Sequence, residues 1–98
     1  MNVKKMMQQA QQMQDKLQAE LVDMRVEAAA GGGVVKATLN GQKELLALQI
    51  DPAAVDPEDV EMLQDLVVAA VNEASRRVDE QVQQKVGGMM PPGLGGMF

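Results

Sequence analysis

The chain contains no cysteine, histidine, tryptophan or tyrosine, and its single phenylalanine is the last of its 98 residues. Without cysteine there is no disulfide and no thiolate metal site, which fits a reducing compartment. Without histidine or cysteine, and with Ser75 as the only serine, the usual nucleophile and base pairings cannot be assembled. Carboxylates remain, but no motif ties two of them to a pocket, so the chain reads as a binding protein with no cofactor and no metal rather than an enzyme. The near absence of aromatic rings argues against single-strand recognition by base stacking. It also requires any core to be built from Val, Leu, Ile, Met and Ala. Long apolar runs are lacking too: the stretch from Gln8 to Gln18 interrupts the amino-terminal region, so neither a signal peptide nor a membrane span is read there, and a cytoplasmic location is expected.

Acids outnumber bases, 14 to 9, for a net charge of −5. Such a balance is unfavourable for nucleic acid, because neutralisation of phosphate by Lys and Arg dominates that binding. The distribution qualifies the sum. Asp51, Asp56, Glu58, Asp59, Glu61 and Asp65 crowd the middle, whereas Lys4, Lys5 and Lys16 sit early and Arg76, Arg77 and Lys85 sit late. At this length a chain makes one domain with a modest core, and a second subunit is a common source of further burial.

From Asn2 to about Val22, Val3, Met6, Ala10, Met13, Leu17 and Leu21 recur at three- and four-residue steps, which predicts a long helix with a narrow apolar stripe. So narrow a stripe suits a helix that leans on another or projects from the body. At Met24 the period becomes two, with Met24, Val26 and Ala28 on one face of a first strand. Gly31, Gly32 and Gly33 form a loop; a phosphate cradle would require a helix after it, and a strand follows. Val35, Ala37 and Leu39 alternate along a second strand, Asn40-Gly41 signals a hairpin, and Leu46, Leu48 and Ile50 continue on the inward face of a third. The outward face of that strand carries Leu45 and Ala47, more apolar than solvent requires and compatible with cover by a second subunit. Asp56 and Pro57 then read as the cap and first position of a second long helix, with neighbouring acids at its positive pole. Its stripe, Leu63, Leu66, Val67, Ala70, Val71, Ala74, Val78 and Val82, is wide enough to cover the sheet. The expected organisation is α+β: long N-terminal helix, three-stranded antiparallel meander and long C-terminal helix in residues 1–86, then a flexible Gly, Met and Pro tail in residues 87–98.

Two basic patches could meet phosphate. Lys4, Lys5 and Lys16 accompany the amides of Gln8, Gln9, Gln11 and Gln12, which suit base edges or sugar oxygens. Arg76, Arg77 and Lys85 lie near the end of the second helix, where cations also suit the negative pole. On charge and spacing alone the plainer reading of both is solvated helix surface, since Asp15 and Glu20 flank the first patch and Glu73 and Glu80 sit at pairing distance from the arginines.

Three strings, KMMQQAQQMQDK from Lys5, VVKATLNGQKELLALQIDP from Val34 and VDPEDVEMLQDLVVAAVNEA from Val55, together resemble the YbaB/EbfC family of bacterial nucleoid-associated proteins, and Pro91-Pro92-Gly93 is similar to that family's tails. The resemblance spans essentially the whole chain. It implies a tweezer-like homodimer in the cytoplasm and nucleoid that binds double-stranded DNA with little sequence preference, contributing to nucleoid organisation and gene regulation. Carried over by region and charge, it implies DNA contact at Lys4, Lys5, Lys16, Arg76, Arg77 and Lys85. Two departures stand out: Gln64 replaces an acid common in the family, and Leu45 and Leu46 stand where some relatives are basic, which implies weaker DNA binding here if those bases contribute to DNA contact. The alternative is a protein–protein adaptor docking an unidentified partner through the first helix or the Met-rich tail.

Overall fold

The computed structural model describes residues 2–89. Helix α1 (Val3–Asp23) leads into strands β1 (Val26–Ala30), β2 (Val35–Leu39) and β3 (Leu45–Ile50), and helix α2 (Val60–Met89) completes the described chain. The three strands form one antiparallel sheet in the order β1-β2-β3, the expected meander. α2 runs through Gly87 to Met89, three residues into the segment read as irregular; the remainder of that segment lies outside the described residues.

The core follows from the two periodicities. Val26 and Ala28 of β1 and Val35, Ala37 and Leu39 of β2 point to one face and are buried. Ala70, Ala74 and Val78, at steps of four on α2, lie against them, with Leu63, Leu66, Val67, Val71 and Val82 at the margins. Alanine at two of the three central helix positions lets the helix approach the sheet closely. α2 packs on β1 and β2 and hardly reaches β3.

Strand β3 therefore differs from expectation. Leu48 and Ile50 do share the core face, opposite Ala37 and Val35, but all six residues of β3 are exposed. A bulge sets Leu45 opposite Leu39 and Ala47 opposite Thr38, leaving Leu46 as the extra residue, so Leu45, read as outward, falls opposite a buried position.

Three turns show how side chains shape the chain. Gly31, Gly32 and Gly33 all adopt positive φ, the expected use of glycine. In the hairpin, Asn40-Gly41 does not make a two-residue turn. The Asn40 carbonyl accepts from Lys43 N (3.1 Å), Asn40 N donates to the Glu44 carbonyl (3.1 Å), and the left-handed residue is Lys43, with φ 64°, the geometry of a three-residue loop. Buried Asn40 holds it together, its Oδ1 accepting from Gln42 N and Glu44 N at 2.9 and 3.0 Å. Before α2, Asp56 closes a turn onto Glu58 N, and Asp59 is the residue that caps the helix, accepting from Met62 N at 3.2 Å. The expected cap at Asp56 is thus displaced by one turn, because Pro57 lies in the preceding turn and not in the helix.

Candidate nucleic-acid interface

Helix α1 is capped by Asn2, whose Oδ1 accepts from Lys5 N. It has no buried residue. Only its last turns touch the body: Leu17, Glu20 and Leu21 are half-buried, the Leu21 carbonyl accepts from Gly41 N at 2.8 Å, and Gln42 donates to Gln18 across the same junction. The first four turns project, with Met6 54% and Met7 67% exposed.

On this projecting helix, 3.6 residues per turn place Lys5, Gln9, Gln12 and Lys16 in one line, with the two lysines roughly 16 Å apart along the axis. Lys4, Lys5 and Lys16 form no ion pair among the described residues. Asp15, their acidic neighbour, accepts from Gln11. α1 has no acid in its first turn, so Lys4 and Lys5 add to the positive end of the helix dipole instead of being offset there.

The residues expected on α2 are placed differently. Arg76 and Arg77 both pair with Glu73, the latter at 3.5 Å, and Arg77 also donates to the Glu27 carbonyl of β1 at 2.9 Å. Lys85 pairs with Glu20 of α1 at 3.5 Å, tying the C-terminal portions of the two helices together. That bridge is the one ion pair among the described residues that joins α1 to α2. Glu80, offered by spacing as an alternative partner for the arginines, pairs with neither.

Lys36 is a basic position that the sequence reading did not select. It is half-buried on the face of β2 away from α2, opposite Gln49, and lines a shallow depression of about 350 Å³ with Gly33, Val34, Ile50, Asp51 and Pro52. Strand alternation places it there; its isolation from the other bases hid it. Lys43 is occupied by Asp79 at 2.7 Å. Three of the six central acids are engaged with the backbone: Asp51 accepts from Ala53 N, as Asp56 and Asp59 do from Glu58 N and Met62 N. Among the described residues no group of three or more acids is placed to hold a metal ion, and no helix is long and apolar enough to cross a membrane.

Comparison with known proteins decides the family. Residues 1–94 match the model of the YbaB/EbfC DNA-binding family. The chain belongs to that family. A nucleoid-associated protein of Thermoanaerobacter sp. (strain X514) is 50% identical over 95% of this chain and 90% of its own length, and one of Koribacter versatilis (strain Ellin345) is 53% identical over 91% and 88%. This YbaB/EbfC chain also resembles the crystal structure of an uncharacterized protein from Helicobacter pylori, at a TM-score of 0.77 and 26% identity over 91% of this chain and 94% of that one. The helix–meander–helix order thus matches a fold solved by crystallography.

Proposed function

We propose that this protein binds double-stranded DNA as a homodimer with little sequence preference, acts at the nucleoid, and influences gene expression through DNA organisation. The observation that carries the reading is that Lys4, Lys5 and Lys16, without an ion pair among the described residues, stand on a projecting helix apart from the acidic cluster of the body. The acidic cluster lies at the start of α2, while α1 joins the body near Lys85, roughly 38 Å along that helix at 1.5 Å per residue. Charge is thereby segregated along the molecule, and phosphate can meet the lysines without meeting the cluster. The contacts are with the backbone of DNA, hence the weak sequence preference.

Homodimerisation is supported by β3. Leu45, Leu46, Leu48 and Ile50 are exposed on a strand whose outer edge pairs with nothing among the described residues. The opposite edge, β1, is guarded by Arg77. An apolar open edge is ordinarily covered, and a second copy would cover it while doubling the lysine patches. Leu48→Glu is expected to give monomers in sedimentation and weaker DNA binding.

The test is a titration of labelled duplex across a salt series, with scrambled duplex and single strand as competitors. Affinity should fall steeply with salt and be similar for both duplexes. Alanine at Lys4, Lys5 and Lys16 together should weaken binding by roughly tenfold at low salt for every sequence and reduce the salt slope by about 0.9 for each phosphate no longer neutralised. No binding at low salt would reject the reading. A second reading, an adaptor for another protein, is favoured by the exposed Val3, Met6, Met7 and Met13 stripe, since methionine fits irregular partners; it predicts that Met6 and Met13 substitutions leave DNA affinity unchanged and abolish partner capture.

A further inference from the structure

The nine Lys and Arg residues divide into two sets. Lys4, Lys5, Lys16 and Lys36 have no ion-pair partner among the described residues, and Arg25 donates to the Val22 and Met24 carbonyls. Lys43, Arg76, Arg77 and Lys85 are paired with acids. Within that second set one carboxylate, Glu73, holds two guanidinium groups.

We propose that Glu73 limits the affinity of this protein for DNA by competing with phosphate for Arg76 and Arg77; the proposal rests on the DNA-binding reading above. The geometry is directional. Side chains on a helix lean toward its N-terminus, so Arg76 and Arg77 swing back to Glu73, at i−3 and i−4, and away from Glu80 at the equivalent forward positions. An acid N-terminal to a base is also the favoured order for such pairs. Glu73 is the more sheltered member, its side chain 32% exposed against 73% for Arg76 and 51% for Arg77. The carboxylate is the fixed post and the arginines are the ends that phosphate can reach. To engage them DNA must exchange one ion pair for another. Exposed pairs of this kind are weak, so the competition changes affinity by a modest factor without closing the site. Arg77, held also by the Glu27 carbonyl, is the harder of the two to recruit.

The experiment uses the full chain and measures DNA affinity and salt slope for the native protein, Glu73→Gln, Glu73→Asp, Glu80→Gln and Glu73→Gln combined with Arg76→Gln and Arg77→Gln. Glu73→Gln should bind about three- to tenfold tighter at low salt and steepen the salt slope by up to about 0.9 for each arginine that reaches a phosphate. Glu73→Asp, which keeps the carboxylate, should stay near the native value, and the combined variant should lose the gain. Glu80→Gln removes the same charge from the same helix without releasing an arginine and should change affinity by less than about twofold. Equal affinity of Glu73→Gln and native protein, an equal gain from Glu80→Gln, or a gain that survives loss of both arginines would overturn the proposal. If circular dichroism shows Glu73→Gln unfolded, Glu73→Met carries the same comparison. Failure of the native protein to bind DNA at low salt rejects the DNA-binding reading itself; binding that Glu73→Gln leaves unaltered rejects only the role of Glu73.

Discussion

Helices α1 and α2 begin alike, each capped by an oxygen of the residue before it, Asn2 or Asp59, and each carries apolar residues at helical spacing. One buries that stripe in the core and the other displays it. The difference lies in width and composition. α2 offers a broad band in which Ala70 and Ala74 admit the sheet to close contact, with Val78 buried beside them. α1 offers a single row that meets the body only at its last turns. Periodicity identifies a helix; it does not say whether the partner for its apolar face is in the same chain.

The sharpest way to break this comparison is to truncate a stripe residue on each helix. Val78→Ala removes two methyl groups from a fully packed site, worth about 0.8 kcal/mol each plus a cavity, for a loss of about 2–3 kcal/mol in urea unfolding. Met6→Ala, on the exposed row, should stay within about 0.5 kcal/mol. An equal loss from Met6→Ala would mean that the α1 stripe is buried in solution against another molecule.

The junction between the two regions supports the next test. A Cβ at Gly41 would stand 2.8 Å from the Leu21 carbonyl oxygen and 2.9 Å from the Leu21 Cα, with backbone that has little room to move. Gly41→Ala is therefore expected to cost about 1–2 kcal/mol by pushing α1 off the hairpin, and to speed amide exchange in the last turn of α1. Gly32→Ala is the control: nothing lies within 4 Å of its Cβ, but φ is +73°, so it should cost about 1 kcal/mol through backbone strain and leave α1 exchange unchanged. Faster α1 exchange in both variants would show that the junction depends on the fold as a whole.

Much of this architecture was legible. The change of period at Met24, the three glycines and the wide stripe after Val60 located both α-helices and the three strands in order, because local geometry and burial pull the same way in those segments. What escaped depends on contacts that local pattern does not encode. Asn40-Gly41 looked like a two-residue turn, yet the glycine is there to let Leu21 approach, and the positive φ falls on Lys43. Asp56 and Asp59 are both competent caps, and only the path of the chain around Pro57 chooses between them. β3 carries a core-like alternation that α2 is too far over to cover. At the candidate interface, the residue types and the helix they occupy were readable, whereas the capture of Arg76 and Arg77 by Glu73 required side-chain direction. Lys36 required knowing which sheet face stays open.

The smallest effect separates the two helices most cleanly. Asp59→Ala removes an oxygen from the amide of Met62 at the start of a helix whose face is locked in the core, so the loss of about 1 kcal/mol should appear in the global unfolding midpoint. Asn2→Ala removes the same kind of bond, to Lys5 N, from a helix end that is exposed and projects from the body among the described residues. Its first turn can fray without disturbing the core, so the loss is absorbed locally: exchange at the amides of residues 3–6 rises and the midpoint stays in place. The same chemistry then yields a global effect at one helix and a local one at the other. A midpoint that falls equally in both would mean that the projecting turns of α1 unfold together with the core, and the division between a packed body and an independent arm would have to be given up.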